Sequence, residues 1–362
     1  MPGPEPSPPR SIRPSRRIAF VAVLVGLTLA LCEALVRLVG LAPDLLPLEI
    51  TTGNATFLVS ANPRLGWVPK PGSADVNADG YRDRAFAVEK PPGTFRVAAL
   101  GDSVTFGACV TSRDETFAKV AERGLDGFLG GVEVMNLGVP GYDTVQEVEL
   151  LKERGLRYAP DLVLVGVCLN DFEPVAGAGP MAVLAESGTA RGRLSAGVRR
   201  RLMLSSHLFR LVYARASASV GARDAGDGTA SPRPHRGMAG SPVEEGLAEL
   251  AALSAQHGFA VAIVLFPVFA ARPRPDMVAL VQSVAAEAAR HGFRTIDLEA
   301  AYGDFRADPR AVSCDALHPN REGHRIAGEA IARALVASPE LFGARADEVR
   351  AKVAAAQTHA RR

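Results

Sequence analysis

Arg96-Val97-Ala98-Ala99-Leu100-Gly101-Asp102-Ser103 is a short apolar run that stops at glycine and hands over to an acid and a serine. The run predicts a strand over 96–101. The stop predicts a strand-to-helix turn at the carboxyl edge of a sheet, where open α/β proteins bind ligands. Far downstream stands Asp315-Ala316-Leu317-His318-Pro319-Asn320. An aspartate and a histidine three residues apart on one turn can point to the same side and hydrogen-bond as a unit. With the serine they supply a nucleophile, a base and an orienting carboxylate in the order Ser…Asp…His, and geometry rather than order defines such a set.

Outward from this strand, apolar runs alternate with helical patterns. Further strands are expected at 132–136, 161–168, 259–266 and 293–297, with helices near 114–128, 143–156, 243–257 and 274–291. A last helix is expected after Pro319-Asn320, carrying Ile326, Ala327, Ala330, Ile331 and Leu335 at helical spacing. Such alternation implies a three-layer α/β/α domain over 96–338, with a central, mainly parallel sheet. Residues 173–240 break the rhythm and read as an insertion. Within it, Arg199, Arg200 and Arg201 beside Leu202, Leu204, Leu208 and Leu211 suit an amphipathic helix. Such a helix would cap the site or lie on a membrane surface, and a solvated excursion is the plain alternative. The tail, 339–362, is alanine-rich and charged, as expected of a surface helix that frays.

Lysine and arginine number 41 against 39 acids, so charge points to no nucleic-acid partner. The four cysteines, Cys32, Cys109, Cys168 and Cys314, show no CxxC or Cys/His spacing, and neither a metal nor a cofactor is expected. Cys109 follows the serine turn and Cys314 precedes Asp315. A disulfide bracing the site and two buried free thiols both fit that placement.

Residues 1–17 are proline-rich with four arginines and read as a disordered cytoplasmic tail. Ile18 to Leu31 is unbroken in apolar or small residues, and the stretch runs to Val39 interrupted only by Glu33 and Arg37, which are four apart and able to pair. About 20 apolar residues span a bilayer. The arginines before the span place the amino-terminal side in the cytoplasm. Residues 18–39 are therefore expected to be a signal-anchor helix holding the rest extracytoplasmic, on the periplasmic or cell-surface side. A cleaved signal peptide and a buried soluble-domain helix are the rivals. Residues 43–95, rich in Pro, Gly and Asn, read as a strap from membrane to domain, whose Trp67 and Tyr81 either line a substrate entrance or pack it onto the core.

Four short blocks fall at carboxyl ends of successive expected strands: Gly101-Asp102-Ser103, then Asn136 to Thr144 with Gly138, Gly141 and Tyr142, then Val163 to Asp171 ending Leu169-Asn170-Asp171, and lastly Asp315 to Asn320. In these blocks the sequence resembles the SGNH (GDSL-type) hydrolase family, over roughly 95–172 and 258–336. The segments Leu65-Gly66-Trp67 and Asn77 to Arg82 look like those of its membrane-anchored bacterial members. The resemblance implies a flavodoxin-like SGNH fold, Ser103 as nucleophile, Asp315 and His318 as its partners, and an oxyanion hole lined by Ser103, Gly141 and Asn170. One departure is Cys168, where the third block usually has glycine.

Elementary chemistry fits those roles. Serine is a poor nucleophile until a base takes its proton, which His318 would do. Asp315 would fix the imidazole tautomer, and the N–H groups of Ser103, Gly141 and Asn170 would meet the oxyanion. The expected activity is ester hydrolysis through an acyl-enzyme on Ser103, with O-acetyl groups of cell-envelope carbohydrate as one substrate class. Transfer of the acyl group to a sugar hydroxyl and a non-catalytic carbohydrate-binding module on the same fold are the alternatives. Blander readings also exist: Ser103 as a helix cap, His318 as a packing residue, Asn170-Asp171 as a turn. His324 is expected to be structural.

Overall fold

The computed structural model describes residues 14–42, 57–73, 75–172, 198–199, 201–213, 215 and 237–360. The tail before residue 14, residues 43–56 of the strap and most of the 173–240 insertion lie outside these. Helix α1 (Pro14–Val39) starts ahead of the expected boundary at 18, because proline fits a first helical turn, where its missing N–H costs no hydrogen bond. Its Ile18–Val39 part has a mean hydropathy of 2.4 and is long and apolar enough to cross a membrane. A membrane anchor and a signal sequence both meet that criterion. The Glu33–Arg37 pair forms, at 2.7 Å.

The central sheet is built from β3 (Phe95–Gly101), β4 (Val132–Asn136), β5 (Leu162–Val167), β6 (Ala260–Leu265) and β7 (Arg294–Asp297), all parallel, in the order β4-β3-β5-β6-β7. Every residue of β3 is buried, as a strand covered on both faces requires. Its side chains alternate between two cores. Ala98 and Leu100 join Val163, Val165 and Ile263 under α4 (Thr144–Leu150), α5 (Pro242–His257) and α6 (Pro275–Arg290). Val97 and Ala99 join Leu164, Val264 and Ile296 under α3 (Phe117–Leu129) and α7 (Arg321–Val336), with Val349 of α8 (Ala346–Ala360) in the same core. The result is three layers.

The strand order makes the chain leave β3 to one side for β4 and resume on the other side with β5. That reversal is the topological switch point, and ligands in open α/β sheets bind outside the strands' carboxyl ends there. Gly101 pairs with Gly166 across this point, so the turns after β3 and β5 open side by side. The turn after β4 is pressed close as well. A Cβ on Gly138 would lie 2.3 Å from the backbone nitrogen of Phe106, in the one-turn helix α2 (Ser103–Phe106).

The strap is part of the core. Strands β1 (Phe57–Val59) and β2 (Trp67–Pro69) form a small antiparallel sheet. Trp67 and Tyr81 are both buried, which is the packing role and not an entrance. Arg82 is buried as well. Its guanidinium donates to the carbonyls of Phe106 at 3.1 Å, Gly107 at 2.6 Å and Val110 at 2.8 Å, so a residue outside the sheet domain holds the end of α2. Replacing Arg82 by alanine leaves three carbonyls without that donor. At about 1–3 kcal/mol for a stranded buried group, the loss is expected to reach about 3 kcal/mol or more. Thermal unfolding of the full chain should then move down by roughly 6–12 °C. A midpoint unchanged from the wild type would show that the strap does not brace α2.

Candidate active site

Ser103 is the first residue of α2, and the turn is set by the residue before it. Asp102 is the helix N-cap: its Oδ1 accepts the Val104 N–H at 2.8 Å. A residue at the first helical position keeps its own N–H out of the helix ladder. The Ser103 N–H accordingly has no hydrogen-bond partner among the described residues.

His318 comes from the loop that leads into α7. Its ring nitrogen Nε2 is 2.8 Å from Ser103 Oγ, across 215 residues of sequence. Its other nitrogen, Nδ1, is 2.7 Å from Asp315 Oδ2. Asp315 Oδ1 accepts the backbone N–H groups of Leu317 and His318, both at 2.8 Å, so the carboxylate is held in place on the same turn. With Nδ1 donating to Asp315, Nε2 is left as an acceptor for the serine hydroxyl. The structure thus brings Ser103, His318 and Asp315 into one chain of contacts.

The electrostatics follow from those contacts. Burial would raise the Asp315 carboxyl, but the His318 ring and two backbone N–H groups outweigh it and hold the group at about 2. Burial pushes His318 down. The hydrogen bond and charge of Asp315, joined by the charge of Asp102, overcome it and leave the imidazole above its ordinary value.

The two other sequence-predicted residues lie in the turns that follow β4 and β5. Gly141 lies in the turn between β4 and α4 with φ +79°, and a Cβ there would meet the Trp67 ring at 3.2 Å. Glycine is therefore required both by the backbone angle and by the indole, which donates to the Pro140 carbonyl at 3.0 Å. The Gly141 N–H has no partner among the described residues. Asn170 sits in a 3₁₀ turn after β5, and its Nδ2 donates to Asp102 Oδ2 at 2.7 Å. The Ser103 hydroxyl is 3.3 Å from that same oxygen.

Asp102 is thus a hub that sequence reading left without a role, although an acid just before a helix is a recognisable capping signal. Asp171 was missed as well. It is fully buried and joins two loops: Oδ2 accepts the Cys168 N–H at 2.8 Å, and Oδ1 accepts the Thr144 hydroxyl at 3.2 Å. It ties the Asn170 turn to the start of α4, three residues past Gly141. Beneath it lies Glu147, also buried, pushed well above the ordinary carboxyl value by burial and then by the charges of Asp171 and Asp102. Burial, then Asp102, pushes Asp171 the same way. Cys168, the departure from the family pattern, is accommodated: its sulfur lies against Asn170 Oδ1 and Asp102 Oδ2, and burial keeps it a thiol.

Cys109 and Cys314 are joined in a disulfide with their Cα atoms 6.4 Å apart, which decides between the two readings left open by the sequence. Cys109, Cys314, Asp315 and His318 have donor atoms within 4.8 Å of one another, but with both sulfurs in the disulfide the group offers no thiolate. His324 is structural, as expected. It is fully buried, stacks on Phe117, and through Nδ1 accepts the first N–H of α3 at 3.1 Å.

A parallel sheet in this order, with a serine, a histidine and an acid gathered at its switch point, defines a flavodoxin-like hydrolase fold. Residues 99–326, well over half of the chain, match the GDSL-like Lipase/Acylhydrolase family, and the chain belongs to that family. Among solved structures it is similar to a lipase/acylhydrolase from Enterococcus faecalis, with 18% identity over 67% of this chain and 95% of that one, at a TM-score of 0.43. It is also similar to a G-D-S-L family member from Veillonella parvula, with 15% identity over 66% and 97% and a TM-score of 0.41. An acetylxylan esterase from Geobacillus stearothermophilus, crystallised as a catalytic mutant, gives 15% identity over 68% and 95% and a TM-score of 0.41. No curated protein matches the chain.

The raised His318 has a direct consequence for pH. If it is the base, only the neutral imidazole takes the serine proton, so reactivity rises with pH through the His318 pKa. The limb should lie above the ordinary histidine value near 6.5. Removing the charge in Asp315→Asn should move that limb downward and slow the reaction by about 10⁴-fold. The rate of labelling by a serine-directed phosphonate, followed from pH 5 to 9, checks both. A limb that stays in place in Asp315→Asn would sever the acid from the base.

Proposed function

We propose that this member of the family is a serine esterase that works through an acyl-enzyme on Ser103. The observation that carries the reading is the continuous contact from Ser103 Oγ to His318 Nε2 and from His318 Nδ1 to Asp315 Oδ2. In the reaction, Oγ attacks the ester carbonyl while His318 takes its proton. The tetrahedral oxyanion is met by the N–H groups of Ser103 and Gly141 and by the Asn170 amide. Collapse expels the alcohol, which leaves with the proton from His318. Water then repeats the sequence on the acyl-enzyme and releases the acid.

The placement proposed for this chemistry is extracytoplasmic, tethered by α1. Two features support it: an apolar helix of spanning length, and a disulfide of the sort that persists in oxidising compartments. A site held there faces the material of the cell envelope. O-acetyl groups on envelope carbohydrate are therefore the substrate class proposed.

The test uses the full chain in detergent with a serine-directed phosphonate and an activated acetyl ester. Labelling at Ser103 and ester turnover are expected, both abolished in Ser103→Ala. Asn170→Ala should keep the label and lower kcat by about 10²–10³-fold. An unlabelled Ser103 together with an inert ester would leave a binding module on the same fold. Acylated product in place of free acid, once a sugar acceptor is added, would make the chain a transferase.

A further inference from the structure

We infer that residues 198–199 and 201–213 belong to a membrane-interface element clamped to the carboxyl end of α1, and that the surface they meet is a bilayer carrying anionic headgroups. The inference rests on the reading of α1 as a retained anchor and goes beyond it.

The clamp is the starting point. An acid within an apolar helix is costly unless it is paired. Glu33 is satisfied four times over: by Arg37 Nε at 2.7 Å, by the Ser206 hydroxyl at 2.8 Å, and by the backbone N–H groups of His207 at 2.8 Å and Leu208 at 2.9 Å. Arg37 in turn donates to the Ser205 carbonyl at 2.7 Å. Glu33 thus caps the helical stretch 207–213, and Arg37 holds the end of the stretch 201–205. Val36, between them, is buried and Cys32 and Glu33 are half-buried, while the other residues of α1 from Ile18 to Val39 are exposed. Cleavage of α1 as a signal peptide would strip the insertion of this cap, so the contact argues for an anchor that stays.

The composition of the clamped stretch supplies the partner. Met203 and Arg210 turn inward and are buried, while Val198, Leu202, Leu204 and Val212 are 57%, 39%, 41% and 59% exposed. Arg199, Arg201 and Arg215 are exposed around them. Large apolar side chains interleaved with arginine, on a short helical element, match the chemistry of the headgroup–acyl boundary, where apolar groups insert and cations meet lipid phosphates. The position matches too. Glu33 and Arg37 stand at the far end of the span that begins at Ile18, and anything clamped to them is held where that span leaves the bilayer. The apolar flank of α1 and the leucines of the insertion then enter the same layer.

The test uses the full chain reconstituted into vesicles of phosphatidylcholine and phosphatidylglycerol with brominated acyl chains, which quench nearby tryptophan. Trp67, the chain's only tryptophan, is buried in the domain and gives a constant background. Leu204→Trp and Val212→Trp report on the element, Leu27→Trp on the span, and Arg290→Trp on an exposed position of the sheet domain, at the end of α6. Quenching at 27, 204 and 212 but not at 290 is expected. It should weaken at 204 and 212, and not at 27, when Glu33→Ala is added or phosphatidylglycerol is left out. Quenching at 27 alone overturns the inference and leaves the anchor standing. No quenching at 27 overturns the anchor itself. Quenching at 204 that is indifferent to Glu33 removes the clamp, and quenching indifferent to lipid charge removes the anionic partner.

Discussion

The contact between Ser103 Oγ and His318 Nε2 is 2.8 Å long and joins residues 215 apart, and the surrounding structure has to make that separation irrelevant. It does so from several directions. The serine side is fixed by β3 between β4 and β5, with hydrogen bonds from Leu137 and Val139 to the carbonyls of Ala99 and Gly101. On the histidine side, Cys314 donates to the His318 carbonyl at 3.0 Å and Phe269 to Ala316 at 2.8 Å, so the loop is closed on itself and on the turn after β6. Helices α3 and α7 then bind the two halves together. A Cβ on Gly328 would lie 2.7 Å from the Phe117 carbonyl, which shows how near the helices run. The disulfide from Cys109 to Cys314 adds a covalent tie between the loop after α2 and the residue before Asp315.

A second constraint is electrostatic. Asp102, Asp171 and Glu147 gather behind the serine in a region that is almost wholly buried. Burial first, and the neighbouring like charges after it, push the Asp171 and Glu147 carboxyls upward, so that full ionisation of the cluster is disfavoured. Asp102 is the best supplied with donors, from the Val104 N–H, the Asn170 amide, the Ser103 hydroxyl and the Cys168 thiol, against two for Asp171. The strap contributes a parallel solution at the edge of the domain, where buried Lys119 is paired with buried Asp83 at 3.0 Å, and Asp83 also accepts the Asn136 N–H.

The parts of this site legible in the sequence are those where local pattern and chemistry coincide. An apolar run ending in glycine, then an acid and a serine, places Ser103 on a strand-to-helix turn without any knowledge of the fold. Asp315 and His318 are legible because one turn of chain is enough to bring them together. A parallel sheet could be expected from the rhythm of strands and helices, whereas the order of its strands could not. Illegible were the contacts that depend on distant packing: Arg82 reaching the end of α2, Asp171 bridging two loops, Glu147 beneath it, and Glu33 capping the insertion. Each is a polar residue whose role is set by neighbours 20 or more residues away, and composition carries no record of them. Trp67 is an intermediate case. Its burial was foreseeable, but its part in requiring glycine at 141 came from the tertiary contact.

Asp102 brings a tension into the proposed reaction that the rest of the site resolves. Its charge favours a protonated His318, the state the base reaches as the serine attacks. The same charge, one residue from the nucleophile, disfavours the oxyanion that forms in that step. The Asn170 amide has two hydrogens, and the one given to Asp102 fixes the plane of the group and offsets part of the carboxylate's field. In the proposed reaction the other would be given to the substrate. With the N–H of Ser103 and that of Gly141, it would supply the compensating donors at the point where negative charge develops. An acid so near the nucleophile is tolerable because the residue that holds it in place is also one of the donors that would oppose it.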